Sequence, residues 1–318
     1  MKSRVVLLCV GVVLNCWTSQ LMAQAVVPGF VVETYAELPR PCIMDFDAAT
    51  GYLYVGWEER PTTLEFMVRR VGPGGGSVEE YGVSALRDPD SVLFDTHGTI
   101  SGTPGSLLVG ANGGNLFAIR PDQTVQTLYA GATVFQNPGT MIFLPSGNVI
   151  MADQGTNTIV ELGGGWANTL FEVPNLPWDI AISPSSEFYV YSLGDGITRV
   201  YSTTGALLND NFTSARTSYG PMAFGAGGAW GYDLYAISGG ELLRLDADGM
   251  ATVMGSGFDM DTLDIVFHDG ALYVSENQEG RILRVVPEPG ALSLFAIGLG
   301  AMTLRTRRRG RRRRLGGQ

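Results

Sequence analysis
The stretch Asn137-Pro138-Gly139-Thr140-Met141-Ile142-Phe143 turns at Ser146-Gly147-Asn148, rises as Val149-Ile150-Met151-Ala152-Asp153 and returns as Thr158-Ile159-Val160-Glu161-Leu162. Short runs of aliphatic and β-branched residues, bounded by Gly, Pro, Asn and Ser, are the composition of strands joined by tight turns. The same plan recurs on either side. Ile43 to Phe46 goes with Tyr52-Leu53-Tyr54-Val55 and Val68 to Val71, and Ser91 to Phe94 with Leu107-Leu108-Val109 and Leu116 to Ile119. Trp178 to Ile182 goes with Phe188-Tyr189-Val190 and Ile197 to Tyr201, and Met222 to Phe224 with Asp233-Leu234-Tyr235 and Leu242 to Leu245. The last copy is Asp264 to Phe267, Ala271 to Val274 and Arg281 to Val285.

Counted from Tyr54 through Leu108, Ile150, Tyr189 and Tyr235 to Tyr273, the middle strands recur at intervals of 38 to 54 residues. Self-similarity at that period marks a repeat architecture. The first five units end in a further short strand: Ser77 to Tyr81, Thr124 to Tyr129, Thr169 to Val173, Ala206 to Leu208 and Ala251 to Met254. The sixth has none, while Phe30-Val31-Val32-Glu33-Thr34-Tyr35 precedes the first unit and has the missing strand's character. A strand from the N-terminal side that completes the last blade closes a ring and hides its edges. The expectation is an all-β, six-bladed β-propeller over residues 26–285. The unit from Asn137 to Leu162 resembles an NHL repeat, and Phe188 to Val190 and Leu272 to Ser275 stand where NHL and gluconolactonase-like propellers carry such residues. That resemblance implies a fold; propellers host hydrolases, lyases and binding modules alike.

Both ends read as addresses. Lys2 and Arg4, the apolar run Val5 to Leu14 and the small residues Ala23-Gln24-Ala25 form a signal peptide over 1–25, with cleavage by signal peptidase expected after Ala25. At the other end, Val286-Pro287-Glu288-Pro289 precedes an apolar segment, 290–304, and an arginine cluster, 305–314. Basic residues after an apolar run stay on the cytoplasmic side, and 15 apolar residues are fewer than the roughly 17 to 25 of an ordinary spanning helix. Residues 286–318 resemble a PEP-CTERM sorting signal, in which an exosortase recognises Val286 to Pro289 and removes the segment C-terminal to it. The resemblance implies an exported protein, transiently anchored in the inner membrane and then at the cell surface or in the extracellular matrix. Its partners would be signal peptidase and exosortase during export, and extracellular polysaccharide or other surface components afterwards.

The formal charge of −10 includes Lys2, Arg4 and the eight tail arginines; without them the remaining chain carries about −20. Such a surface repels nucleic acid and anionic lipid. Cys42 is the one cysteine outside the signal segment, so no intramolecular disulfide is expected, and its apolar strand marks it as a buried small hydrophobe.

Catalytic motifs are scarce. His97 and His268, the two histidines, each sit in a turn and read as solvated residues. No G-x-S-x-G elbow or phosphate loop is present. What remains is a set of acids and amides on loops that a propeller would bring to one face: Asp88, Asp90, Asn112, Asp153, Asn175, Asp179, Asp195, Asp261, Asp264, Glu276 and Asn277. Oxygen ligands alone suit Ca²⁺. The gluconolactonase-like resemblance implies a central divalent metal, with Asp153, Asp179 and Glu276 as its candidate ligands by position. Turn capping and solubility are the plainer role for these acids. Trp57, Trp178 and Trp230 lie near loops, where an aromatic face beside acids could hold a sugar, although Trp178 opens an inner strand and reads as packing. No catalytic residue is assigned. A binding or structural module is the preferred reading, and a metal-dependent hydrolase or lactonase the alternative.

Overall fold
The structure is a computed structural model that describes residues 24–57, 68–82, 89–131, 133–213 and 220–288. Two strands precede the first blade, β1 (Ala25–Val26) and β2 (Phe30–Glu37). Blade 1 holds β3 (Pro41–Phe46), β4 (Leu53–Trp57), β5 (Val68–Val71) and β6 (Val78–Tyr81). Blade 2 holds β7 (Pro89–Asp95), β8 (Ser106–Ala111), β9 (Asn115–Ile119) and β10 (Val125–Tyr129). Blade 3 holds β11 (Pro138–Phe143), β12 (Val149–Asp153), β13 (Thr158–Gly163) and β14 (Trp166–Glu172). Blade 4 holds β15 (Pro177–Ile182), β16 (Phe188–Ser192), β17 (Ile197–Tyr201) and β18 (Leu207–Thr213). Blade 5 holds β19 (Met222–Phe224), β20 (Leu234–Ser238), β21 (Glu241–Leu245) and β22 (Ala251–Ser256), and blade 6 β23 (Thr262–His268), β24 (Ala271–Glu276) and β25 (Arg281–Pro287).

The chain is a six-bladed β-propeller, as the repeat predicts. β2 is the outer strand of blade 6, antiparallel to β25 from Phe30↔Pro287 to Glu37↔Arg281. One strand goes beyond the repeat. Ala25 and Val26, which read in the sequence as the edge of a cleavage site, pair with Ser256 and Gly255 and give blade 5 a fifth strand.

The core lies between the blades. The apolar clusters each join neighbouring sheets, as where Leu53 and Val55 of blade 1 meet Tyr273 and Ile282 of blade 6, or Leu108 and Leu116 of blade 2 meet Met151 and Val160 of blade 3. The middle strands β4, β8, β12, β16 and β24 are buried along their whole length, because both faces of a blade are covered. Each fully buried Leu, Val or Ile contributes about 1.5 to 3 kcal/mol. An aromatic residue of the outer strand reinforces several junctions by packing under the third-to-fourth-strand turn of the next blade. The Tyr35 hydroxyl donates to the Gly72 carbonyl and that of Tyr81 to the Arg120 carbonyl, at 3.2 and 3.3 Å. At the corresponding turns of blades 4 and 5 the approach is so close that a Cβ on Gly205 would strike the Phe171 ring, and one on Gly249 the Phe212 carbonyl oxygen.

Alternation of strand direction puts two sets of loops on one face, called upper here: those entering each innermost strand and those joining second to third strands. The inner strands β3, β7, β11, β15, β19 and β23 surround a central channel whose lining encloses about 280 Å³.

Candidate functional site: the central channel and the upper loops
Each inner strand is mostly apolar, so a carboxylate inside one stands out. Three of them carry one on the channel wall: Asp45 in β3, Asp179 in β15 and Asp264 in β23. Each ties its blade to the next. Asp45 accepts from Phe46 N (2.8 Å) and from Phe94 N of blade 2 (2.7 Å). Asp179 accepts from Ile180 N (2.9 Å) and from Met222 N of blade 5 (2.7 Å). Asp264 accepts from Met44 N of blade 1 at 2.6 Å, across the seam where the ring closes.

The channel changes their chemistry. Burial raises the carboxyls of Asp45 and Asp179 from 3.8 to about 6, against the lowering effect of their backbone hydrogen bonds and, for Asp179, of Thr140. Asp264 is pushed well above its ordinary value, first by burial and then by the charges of Asp179 and Asp45. Asp179 and Asp264 are 3% and 7% exposed, and Asp45 somewhat more. Charge neutralisation by protons is the natural response of such a group, since each carboxylate adds cost to ionising the next.

Of the three proposed metal ligands, only Asp179 lies on the channel wall. Asp153 ends β12 and orders a loop: its two oxygens accept from Gln136 N, Asn137 N, Gly155 N and the Thr156 hydroxyl. Glu276 ends β24, is 0% exposed, and pairs with Arg281 Nε at 2.6 Å while accepting from Asp259 N at 3.0 Å. Other upper-face acids pair locally in the same way. Asp195 meets Arg199 at 2.6 Å and the Asn175 amide at 2.7 Å, Asp259 takes Gln278 N, and Asp261 takes the Gln278 side chain. Among the described residues no group of three or more His, Cys, Asp or Glu side chains could hold a metal ion. Of the three candidate ligands, Glu276 is thus paired with a guanidinium and Asp153 engaged by backbone and hydroxyl donors of its own loop.

The aromatic candidates are packed. Trp230 donates to the Gly270 carbonyl at 2.8 Å and meets Phe30 and Phe267 at 4.6 and 5.1 Å, so it fastens the junction of blades 5 and 6. Trp178 is buried on β15, as its inner-strand position implies, and Trp57 lies under the Arg69 guanidinium at 4.9 Å. His97 is exposed, as expected of a turn residue. His268 departs from the solvated reading: it ends β23, which packs beside β3 of blade 1, and its ring stacks on Phe46 at 4.0 Å and 9°. Cys42 is buried, as its context predicts.

The proposed sorting motif begins inside the fold. Val286 and Pro287 are rungs of the ladder with β2, opposite Val31 and Phe30, and Glu288 N donates to the Gly29 carbonyl at 2.8 Å. Pro289, the apolar run 290–304, the arginine cluster 305–314, the signal segment through Ala23, and Asp88 lie outside the described residues.

No family model matches the chain, and no curated protein matches it. Solved structures do resemble it. A gluconolactonase from Xanthomonas campestris is 14% identical with a TM-score of 0.63, covering 83% of this chain and 91% of its own. An auxiliary nutrient binding protein from Bacteroides ovatus is 14% identical at a TM-score of 0.62, covering 82% and 77%. Virginiamycin B lyase from Staphylococcus aureus is 13% identical at a TM-score of 0.56, covering 81% and 99%. At such identities the likeness is one of fold.

Proposed function
We propose that this chain is an exported, exosortase-sorted propeller of the cell surface or extracellular matrix, and that it works by binding, as a ligand-binding or structural module, without turnover. The observation that carries the reading is the state of Glu276. Glu276, a candidate ligand for a central metal by its position, is instead buried against Arg281, at 2.6 Å, and Asp153 and Asp195 are occupied by partners in their own blades. A binding role also agrees with the likeness to the auxiliary nutrient binding protein of Bacteroides ovatus. Export and sorting rest on the order of motifs in the sequence: Ala23 and Ala25 at one end, Val286 to Pro289, the apolar run and the arginines at the other.

The alternative reading is a divalent-metal-dependent lactonase. Its support is the Xanthomonas campestris neighbour and a channel wall with three carboxylates raised in pKa, a trait of acid–base sites. Metal analysis of the purified full-length chain, with melting curves recorded with and without chelator, separates the two. The binding reading expects no stoichiometric metal and an unchanged melting temperature; one tightly held divalent ion per chain with a chelator-sensitive melt would put the lactonase first.

A further inference from the structure
On the lower face, between blades 4 and 5, lies a second cavity of about 370 Å³, within the lower part of the ~300 to 1,000 Å³ range of small-molecule sites. Its walls combine the rings of Tyr189, Phe212 and Tyr232 with the carboxylates of Glu187, Asp233 and Asp246. Tyr232 is the exception to aromatic packing in this cavity: it is 68% exposed, whereas Tyr189 and Phe212 are buried and meet edge to face at 4.9 Å. Its loop is set by hydrogen bonds of Gly225 N to the Asp233 carbonyl (2.9 Å) and Gly227 N to the Gly231 carbonyl (2.7 Å).

The charged side chains that line the cavity are acids, one of which, Asp233, is paired with Arg244 at 3.1 Å. Each carboxylate engages its structural partner through one oxygen: Glu187 Oε2 with the Ser185 hydroxyl, Asp233 Oδ2 with Arg244, and Asp246 Oδ1 with Asp248 N and Met250 N. A second oxygen of each retains acceptor capacity, and an ionised carboxylate can only accept. A ligand complementary to this wall is rich in hydroxyl or ammonium donors and has an apolar face to lie on a tyrosine ring. It carries no acid group, since that would meet the carboxylates of Glu187 and Asp246 on a chain that bears about −20 without its terminal signals.

We propose that the cavity between blades 4 and 5 is a carbohydrate subsite for neutral or amine-bearing sugars, with Tyr232 as its stacking platform and Glu187, Asp233 and Asp246 as hydroxyl acceptors. The proposal rests on the binding reading above and names its ligand class. The occupant is a sugar without uronic acid groups.

The test is calorimetric titration of the full-length chain with cellotetraose, deacetylated chitotetraose and tetragalacturonate, alongside Tyr232→Ala, Tyr232→Phe and Glu187→Gln. Expected are binding of one or both of the first two sugars and none of the third. Tyr232→Ala should weaken binding at least tenfold with an unchanged melting temperature, because the ring is exposed, while Tyr232→Phe stays within threefold of wild type. Glu187→Gln should weaken the amino sugar more than the neutral one. Equal affinity of Tyr232→Ala and wild type would overturn the site while leaving a binding module in place, and a preference for tetragalacturonate would overturn the ligand chemistry. If none of the oligosaccharides binds but the chain is retained on the cells' extracellular polysaccharide, the cavity proposal fails alone; if neither occurs, the binding reading fails with it.

Discussion
Acidifying the solution from pH 7 to pH 5 is expected to stabilise this propeller. Asp45 and Asp179 have folded pKa values of about 6, against 3.8 for an ordinary aspartate. A raised folded value means that the native state takes up protons more readily than the unfolded chain, so the stabilisation is complete below pH 3.8 and is lost as pH rises through about 6. Integrated between pH 7 and pH 5, each group contributes about 1.3 kcal/mol. The partial exposure of Asp45 trims its share, so the two together give about 2 to 3 kcal/mol. Asp264 and Glu276, both raised chiefly by burial, act in the same direction. Asp195, lowered overall because Arg199 and Asn175 outweigh burial, acts oppositely, but only below its ordinary 3.8, outside the window. For a domain of this size 2 to 3 kcal/mol is about 5 °C in melting temperature. Urea unfolding at half-unit steps of pH measures the slope directly. Asp179→Asn, which keeps an acceptor for Met222 N, should reduce that slope by up to about 1.4 kcal/mol per pH unit, one proton's worth. Stability that falls on going from pH 7 to pH 5, or a slope untouched by Asp179→Asn, would refute the claim that the channel holds carboxylates at a cost.

The other expectations concern the ion pair and the ring closure. Arg281→Ala should destabilise by about 3 to 5 kcal/mol, since it strands a buried carboxylate, whereas Glu276→Gln with Arg281→Met should recover most of that loss; equilibrium unfolding of both variants checks it. Deleting Phe30–Glu37 removes the outer strand of blade 6 and bares β25 as an edge, so the chain should lose its cooperative melt and aggregate, as light scattering would show. The Glu288 amide, bonded to the Gly29 carbonyl, should exchange hydrogen more slowly in the intact chain than in a synthetic peptide of residues 284–290, which would place the start of the proposed sorting motif under the control of blade closure.

The blade frame is legible because it is written in local chemistry: Gly and Asn turns, Pro at the entry to inner strands, and aliphatic runs between them. Closure is legible from a deficit, a sixth unit without an outer strand and an N-terminal run with nothing else to pair. β1 is not, since Ala25-Val26 is two residues long and its partner is about 230 positions away. The site is less legible than the fold. Asp153 and Glu276 sit at the ends of second strands, where position suggests ligands, but their partners decide their role. For Glu276 that partner can be read: a tight hairpin makes Glu276 and Arg281 directly opposite, and cross-strand opposite charges pair. Asp45 is inconspicuous as one acid in Cys42-Ile43-Met44-Asp45-Phe46, although a lone carboxylate in an apolar inner strand is the informative kind of exception. Tyr232 carries no signal at all, because exposure of a loop aromatic depends on how two blades meet.

The central claim, that this propeller binds without turning over, is tested most directly by following proton release from D-glucono-1,5-lactone in a pH-stat with the purified full-length chain, with and without added Ca²⁺ and Mn²⁺. The expected result is the buffer rate under every condition. Metal-stimulated hydrolysis that Asp179→Asn abolishes would contradict it and make the channel the active site of an enzyme.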